Sequence, residues 1–333
     1  MFVSAPAFLI PLLHTERGLS LAQAGLLAAV PTFGMVLTLV LGGALADRIG
    51  EKWVIAGGLL LTAFAAGGAI LASGYVALGV FLLLGGMASA STNAASGRIV
   101  VGWFPKHKRG LAMGIRQMSQ PLGVTVSAVT IPVLAAGFGL GAALLVPFGL
   151  TAVLAVACAI GLVNPPRVAH RAGATVSPVD NPYRSSPFLW RIHAASMLLV
   201  VPQFTISTFG MVWLVSEQGF DAMAAGVLVG TAQFVGAIGR IVIGVVSDRV
   251  GSRVGPLRWI AVGAATALLA LTAVDAAHWG PAAIVFVLAT TATVAPNGLA
   301  FTSVAEMAGP GWSGKALGVQ NTGQFTRPRW WGR

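Results

Sequence analysis

The amino-acid sequence predicts an all-α, polytopic membrane protein built as two similar helical bundles, and three observations predict it. The 333 residues are 56% hydrophobic and only 9% charged, with a mean hydropathy of +0.85, whereas a water-soluble domain carries roughly 25% charged residues. Uncharged apolar runs long enough to cross a bilayer, about 20 residues each, recur along the chain. A short charged turn between two such runs, Gly43-Ala44-Leu45-Ala46-Asp47-Arg48-Ile49-Gly50-Glu51-Lys52, has an echo in Gly244-Val245-Val246-Ser247-Asp248-Arg249-Val250-Gly251-Ser252-Arg253, and a turn that recurs half a chain apart signals internal duplication.

Met1 to Leu13 is apolar but too short to span alone. No Lys or Arg precedes Arg17, so the stretch lacks the basic start of a secretory signal and reads as the outer end of a first helix. Spans follow at Leu21 to Ala46, Trp53 to Ser73, Tyr75 to Trp103, Leu111 to Ala136 and Leu140 to Val163, the last two separated by the turn Gly137-Phe138-Gly139. These make an N-terminal bundle over residues 1–163. Residues 164–187 read as a linker, because Pro165, Pro166, Pro178 and Pro182 sit there among Arg167, His170, Arg171 and Arg184. Apolar runs resume at Phe188 to Val215, Ala222 to Ser247, Leu257 to Val274 and Pro281 to Ala305, the C-terminal bundle of residues 188–333. An eleventh run begins near Ala316 and soon meets Arg327-Pro328-Arg329-Trp330-Trp331-Gly332-Arg333, which cannot lie in hydrocarbon. The expected protein therefore has a partial first helix and lacks most of helices eleven and twelve.

The duplication extends beyond the turn. A shift of 201 takes Gly43, Asp47, Arg48 and Gly50 onto Gly244, Asp248, Arg249 and Gly251, and Gly97 onto Gly298. A shift of 204 takes Gly110, Gly114 and Gln120 onto Gly314, Gly318 and Gln324. Orientation follows from Lys and Arg, which accumulate in cytoplasmic loops. Even-numbered connections hold thirteen of them, from Arg48 and Lys52 to Lys315, against Arg17 alone in the odd-numbered ones. The expected location is thus the cell membrane, multi-pass, with the linker and both charged turns cytoplasmic.

Several chemistries are excluded. One cysteine, Cys158, makes neither a disulfide framework nor a thiolate metal site. The five histidines show no metal-ligand spacing and no G-x-S-x-G is present. Gly309-Pro310-Gly311-Trp312-Ser313-Gly314-Lys315 starts like a phosphate-binding loop, but Ala316 stands where Ser or Thr would hold magnesium. Gly137-Phe138-Gly139-Leu140-Gly141-Ala142 has dinucleotide-motif glycines but joins two membrane spans. The net charge of +11 is too diluted to track nucleic acid. The expectation is no enzyme, no cofactor and no metal.

These residues resemble the major facilitator superfamily of secondary transporters. Its signature between the second and third helices is G-x-x-x-D-R-x-G-R-R/K, which Gly43, Asp47, Arg48, Gly50 and Lys52 fit and from which Glu51 departs. The second copy fits at Gly244, Asp248, Arg249, Gly251 and Arg253, with Ser252 departing. The resemblance implies two pseudo-symmetric six-helix bundles, alternating access, and a gating turn that holds the halves together on the cytoplasmic side. The partner implied for that turn includes the eleventh helix, so a chain that barely starts it is expected to leave Asp47 with nothing to close against. A narrower likeness, to carriers of organic anions and phosphorylated sugars, lies in Trp103-Phe104-Pro105 and Arg109-Gly110-Leu111-Ala112 with Gly114.

Charge inside a membrane helix is costly and marks function by default. Arg98, Arg116 and Arg240 qualify, whereas the carboxylates of the complete runs stand near their ends. An interior of arginines suits an anionic solute, because a guanidinium fork matches carboxylate or phosphate. Each arginine could instead reach the headgroups along its stem. Gln120, Gln203 and Asn297 are further solute candidates, the last two because Pro202 and Pro296 beside them can break a helix at mid-membrane; the bland alternative is packing between helices. The expected partners are the lipid bilayer and a small solute, an organic anion, moved with a coupling ion by a monomer. The alternatives are drug or amphipathic-compound efflux by the same fold, a non-transporting sensor and a non-functional fragment.

Overall fold

The computed structural model describes residues 1–15, 17–166, 181–277, 281–309 and 311–325. The middle of the expected linker, residues 167–180, and the Arg- and Trp-rich tail lie outside the described residues. Among the described residues the regular elements are all helical. A 3-10 helix (Ala5–Leu9) leads into α1 (Ile10–Thr15), followed by α2 (Leu21–Ile49), α3 (Glu51–Leu71), α4 (Tyr75–Trp103) and α5 (Arg109–Gly161). The short α6 (Pro182–Ser185) precedes α7 (Phe188–Ser216), α8 (Ala222–Val250), α9 (Val254–Ala276), α10 (Ala282–Val294), α11 (Asn297–Ala308) and α12 (Ser313–Phe325).

Eight stretches of these helices are long and apolar enough to cross a membrane. One of them, within α5, supplies two crossings, because the chain turns at Gly139 with φ 79° and ψ −176°, a backbone region open essentially to glycine alone. The nine complete spans expected from the sequence are therefore present. Large apolar side chains within the spans, such as Phe64, Val129 and Val153, are exposed, as lipid-facing positions require.

By contact the chain forms two compact units, each drawing on both halves of the sequence. The first comprises Met1–Trp103, Val126–Ser185 and Ala308–Arg333, and the second Phe104–Thr125 and Ser186–Met307.

In the first unit α2 starts on a capping box. Ser20 Oγ accepts from the Gln23 amide (3.2 Å) and Gln23 Oε1 accepts from the Ser20 amide (2.9 Å), satisfying two groups that a helix start leaves open. Small residues then let α2 and α4 touch backbone to backbone: a Cβ on Gly42 would lie 3.0 Å from Ser91 Cα, and one on Gly86 would run into Pro31 O. Thr38 Oγ1 donates across this seam to Met87 O at 2.7 Å. The N-terminal residues pack inward, with Phe2, Leu9, Leu12 and Leu13 buried against Ala24, Leu27, Leu78 and Leu82. At the other end of this unit Tyr183 meets Trp312 edge-on at 6.4 Å, just ahead of α12.

In the second unit Ile206, Leu214, Ala225, Ala232 and Phe286 form a buried cluster, with Trp213 stacked on Phe286 at 5.8 Å. Asp275 Oδ1 accepts from Trp213 Nε1 (3.0 Å) and Gln218 Nε2 (2.9 Å), tying the end of α9 to α7. The two prolines that drew attention in the sequence behave differently. Pro296 interrupts the chain between α10 and α11, whereas Pro202 is carried inside the continuous α7.

Gly139 has open space where a Cβ would go, so a substitution there isolates backbone strain. Gly139→Ala should lower stability by about 1–3 kcal/mol, measured as the shift in thermal unfolding of the purified protein in detergent. An unchanged transition would show that the turn does not depend on the glycine region.

Candidate functional site

Each charged turn is built where one helix stops and the next starts. Gly50 (φ 100°) and Gly251 (φ 68°) end α2 and α8 in a conformation that side chains disfavour, which explains the second glycine of the pattern. The first glycine has another purpose. Gly43 on α2 meets Gly314 on α12, and Gly244 on α8 meets Gly110 on α5; at every one of these four positions a Cβ would collide with the partner backbone. Because 43 pairs with 314 and 244 with 110, the two contacts are repeats of each other under the offsets of 201 and 204.

In the second unit Asp248 accepts two backbone hydrogen bonds at the start of α5, Oδ1 from Gly110 N (2.9 Å) and Oδ2 from Leu111 N (2.8 Å). A carboxylate there satisfies amides that have no partner in their own helix and meets the positive end of the helix dipole. Arg253 holds it from the other side. Nη1 reaches Asp248 Oδ1 (2.6 Å) and Ser247 Oγ (3.0 Å), Nη2 reaches Glu306 Oε1 (3.1 Å), and Nε reaches Glu306 Oε2 (3.3 Å). Nη2 also donates to Lys106 O. Burial alone would lower the Arg253 pKa, but hydrogen bonds and charge from Glu306 and Asp248 outweigh it and raise it above the ordinary arginine value. Arg109 Nη1 adds a longer contact to Glu306 Oε1 at 3.7 Å.

The first unit places the same turn against α12, which corrects the expectation that Asp47 lacks a docking surface. The 13 residues of α12 suffice, because contact is made in its first turns. A Cβ on Gly314 would lie 2.5 Å from Asp47 Oδ1, one on Gly318 would lie 2.9 Å from Leu39 O, and one on Gly97 would run into Leu317. The glycine and lysine tract that starts like a phosphate loop is thus a helix start already facing a carboxylate.

The partners differ between the two copies. Arg98 on α4 pairs through Nη1 with Asp47 Oδ1 and through Nε with Glu51 Oε1 at 2.9 Å. Glu51, read in the sequence as a departure from the pattern, is completely buried. In the second unit the turn supplies the base, Arg253, and α11 the acid, Glu306; in the first the turn supplies the acid, Glu51, and α4 the base, Arg98. The ion pair is charge-reversed. Lys52 meanwhile lies over the Trp53 ring, 5.5 Å from its centre, and its amide donates to Asn164 Oδ1 at 2.8 Å. Arg48 and Arg249 are exposed.

The remaining candidates lie within the second unit. Gln203 and Asn297 are buried and bonded to each other, Asn297 Nδ2 to Gln203 Oε1 at 2.9 Å, joining α7 to α11 just past the Pro296 break. Arg116 on α5 donates through Nη1 to Gln117 Oε1 (3.0 Å) and stacks over Phe301, 5.5 Å from the ring centre. Gln120, one turn on, is exposed. Arg240 is completely buried; its Nε donates to Val294 O (3.0 Å) and its Nη1 to Gln117 O. Sequence reasoning missed Glu51 and Glu306. Glu51 had a signal, an acid inside a charged turn in a chain with only nine acidic residues; Glu306 had none, because it lies 53 residues from Arg253 in sequence and meets it only in the fold.

Removing Arg98 would leave the completely buried Glu51 without its cation and the partly buried Asp47 without its hydrogen-bonded one. Arg98→Met should cost about 3–5 kcal/mol, read as a fall in melting temperature, and Glu51→Gln should recover part of it in the double variant. Equal losses in the single and double variants would show that the pair is not a unit.

Comparison with known proteins identifies the family. The family model of the Major Facilitator Superfamily matches residues 1–326. An uncharacterised MFS-type transporter of Mycobacterium tuberculosis (Rv2994) is 47% identical over 324 residues, covering 97% of this chain and 72% of that protein. A hexuronate transporter of Bacillus subtilis is 24% identical over 255 residues, covering 74% of this chain and 60% of that one. Among solved structures, the proton:xylose symporter XylE superposes with a TM-score of 0.79 at 14% identity, over 97% of this chain and 82% of that chain, a likeness of fold.

Proposed function

This chain belongs to the major facilitator superfamily, and as a transporter of that family, not an enzyme, we propose that it carries a small organic anion across the cell membrane by alternating access. The observation that carries the anionic reading is the placement of charge. The seven carboxylates among the described residues stand at helix ends or in turns, while Arg116 and Arg240 stand inside α5 and α8. Two guanidiniums at that depth create a positive field where water is scarce, and an anion is the solute that such a field stabilises. Arg116, with Gln120 one turn away, is the proposed solute contact, and Arg240 contributes to the field. The hexuronate transporter among the relatives supports the same class of solute.

The excess of Lys and Arg supports placing both charged turns in the cytoplasm. On that side α2 docks on α12, and α5 docks on α8, each pair joining one half of the sequence to the other within a single unit. The arrangement supports a state closed to the cytoplasm, with the halves moving apart there when the site turns inward. A coupling ion and a monomeric carrier complete the proposal.

The test is uptake by the purified protein in liposomes. A hexuronate such as galacturonate should enter saturably and be competed by other small carboxylates, with a neutral pentose and a quaternary ammonium compound ineffective. Arg116→Gln should raise the KM at least about tenfold, the weight of one charge-assisted hydrogen bond. Uptake that does not distinguish anions from neutral or cationic solutes would sink the anionic reading.

A further inference from the structure

Among the described residues Arg240 is the largest completely buried side chain, and its hydrogen bonds have a pattern that the anionic reading does not use. It lies on α8 eight residues before Asp248, about two turns deeper into the helix. There α8 and α5 touch backbone to backbone, since a Cβ on Gly114 would lie 2.5 Å from Arg240 O. The guanidinium donates to Gln117 O on α5 and to Val294 O at the end of α10.

Both acceptors are carbonyls their own helices cannot serve. A helical carbonyl accepts from the amide four residues on, and four residues after Gln117 stands Pro121, which has no N–H. Val294 is the last residue of α10, ahead of the interruption at Pro296. Last-turn carbonyls lack helical donors and form the negative end of the helix dipole. Two orphaned carbonyls from two elements thus converge on one tethered cation. Its Nη2 has no hydrogen-bond partner among the described residues, so the guanidinium is held by these acceptors and not by a carboxylate.

We propose that Arg240 is a positioning residue, a built-in cation that clamps α5 to α8 and to the α10–α11 break as a second layer of closure beneath Asp248. The outer layer is a carboxylate on backbone amides; the inner one is a guanidinium on backbone carbonyls. The α5 segment comes from the first half of the sequence, and α8 and α10 from the second. Separating the halves at this end therefore breaks the Arg240–Gln117 bond as well as the Asp248 contacts. The clamp does not depend on the charge of the solute, and it explains the place of Pro121: the proline keeps Gln117 O available.

The experiment uses the full chain in lipid nanodiscs with Cys158→Ser and a reporter Ala237→Cys, a fully buried position one turn from Arg240 on the same face. Arg240→Met should lower the melting temperature and speed maleimide alkylation of the reporter at least about tenfold, the weight of a charge-assisted hydrogen bond. Pro121→Ala alone, which supplies an amide to Gln117 O, should also speed alkylation although Arg240 is intact. In the Pro121→Ala background Arg240→Met should cost far less thermal stability than it does alone, because the carbonyl is no longer orphaned. Equal thermal cost in both backgrounds would overturn the clamp, and so would alkylation that neither substitution changes. Should Arg240→Met fail to fold, Pro121→Ala with the reporter decides the matter.

Discussion

The motif end of this protein depends on two close approaches of helix backbones, Gly43 against Gly314 and Gly244 against Gly110. Only residues without a Cβ permit that distance, and only at that distance can a carboxylate one turn further on reach the start of the facing helix. Asp248 shows the result, with both oxygens on the amides of α5. In hydrocarbon a polar group must find its partner within the protein. The glycine contact thus comes first, and the ion pairs of Arg253 and Glu306 follow from it.

The two copies of this design solve the same electrostatic problem with opposite signs. Asp248 is held by helix amides and by a base from its own turn, while Asp47 is held by a base from α4, with the acid Glu51 sharing that base. Duplication therefore preserved the geometry of the glycine contact and left the charge partners free to change. The physical reason is that backbone approach tolerates no side chain, whereas an ion pair needs only opposite signs at hydrogen-bond distance, whichever element supplies each.

Deeper in the second unit polar groups are matched to defects in helices. Pro121 and the Pro296 break release carbonyls that Arg240 takes up, and Asn297 just past the break bonds Gln203. Gln203 and Asn297 thus join α7 to α11, and Arg98 belongs to the turn. Arg116 is stacked on Phe301 and joined to Gln117.

The sequence by itself determined the helical class, the spans from Leu21 onward, the duplicated turn and the excess of basic residues on one set of loops. Each rests on composition or on periodic spacing, which a linear chain displays directly. It also marked the breaking capacity of Pro296 but could not separate it from Pro202, because whether a helix continues past a proline depends on neighbours that re-satisfy the freed groups. Only the tertiary structure decided that α12 reaches Asp47, that Glu51 is a buried partner of Arg98, and that Arg240 ends on two carbonyls. Those facts depend on residues about fifty to two hundred and seventy positions apart meeting across helices, and no local pattern records which side chain an ionised group will find.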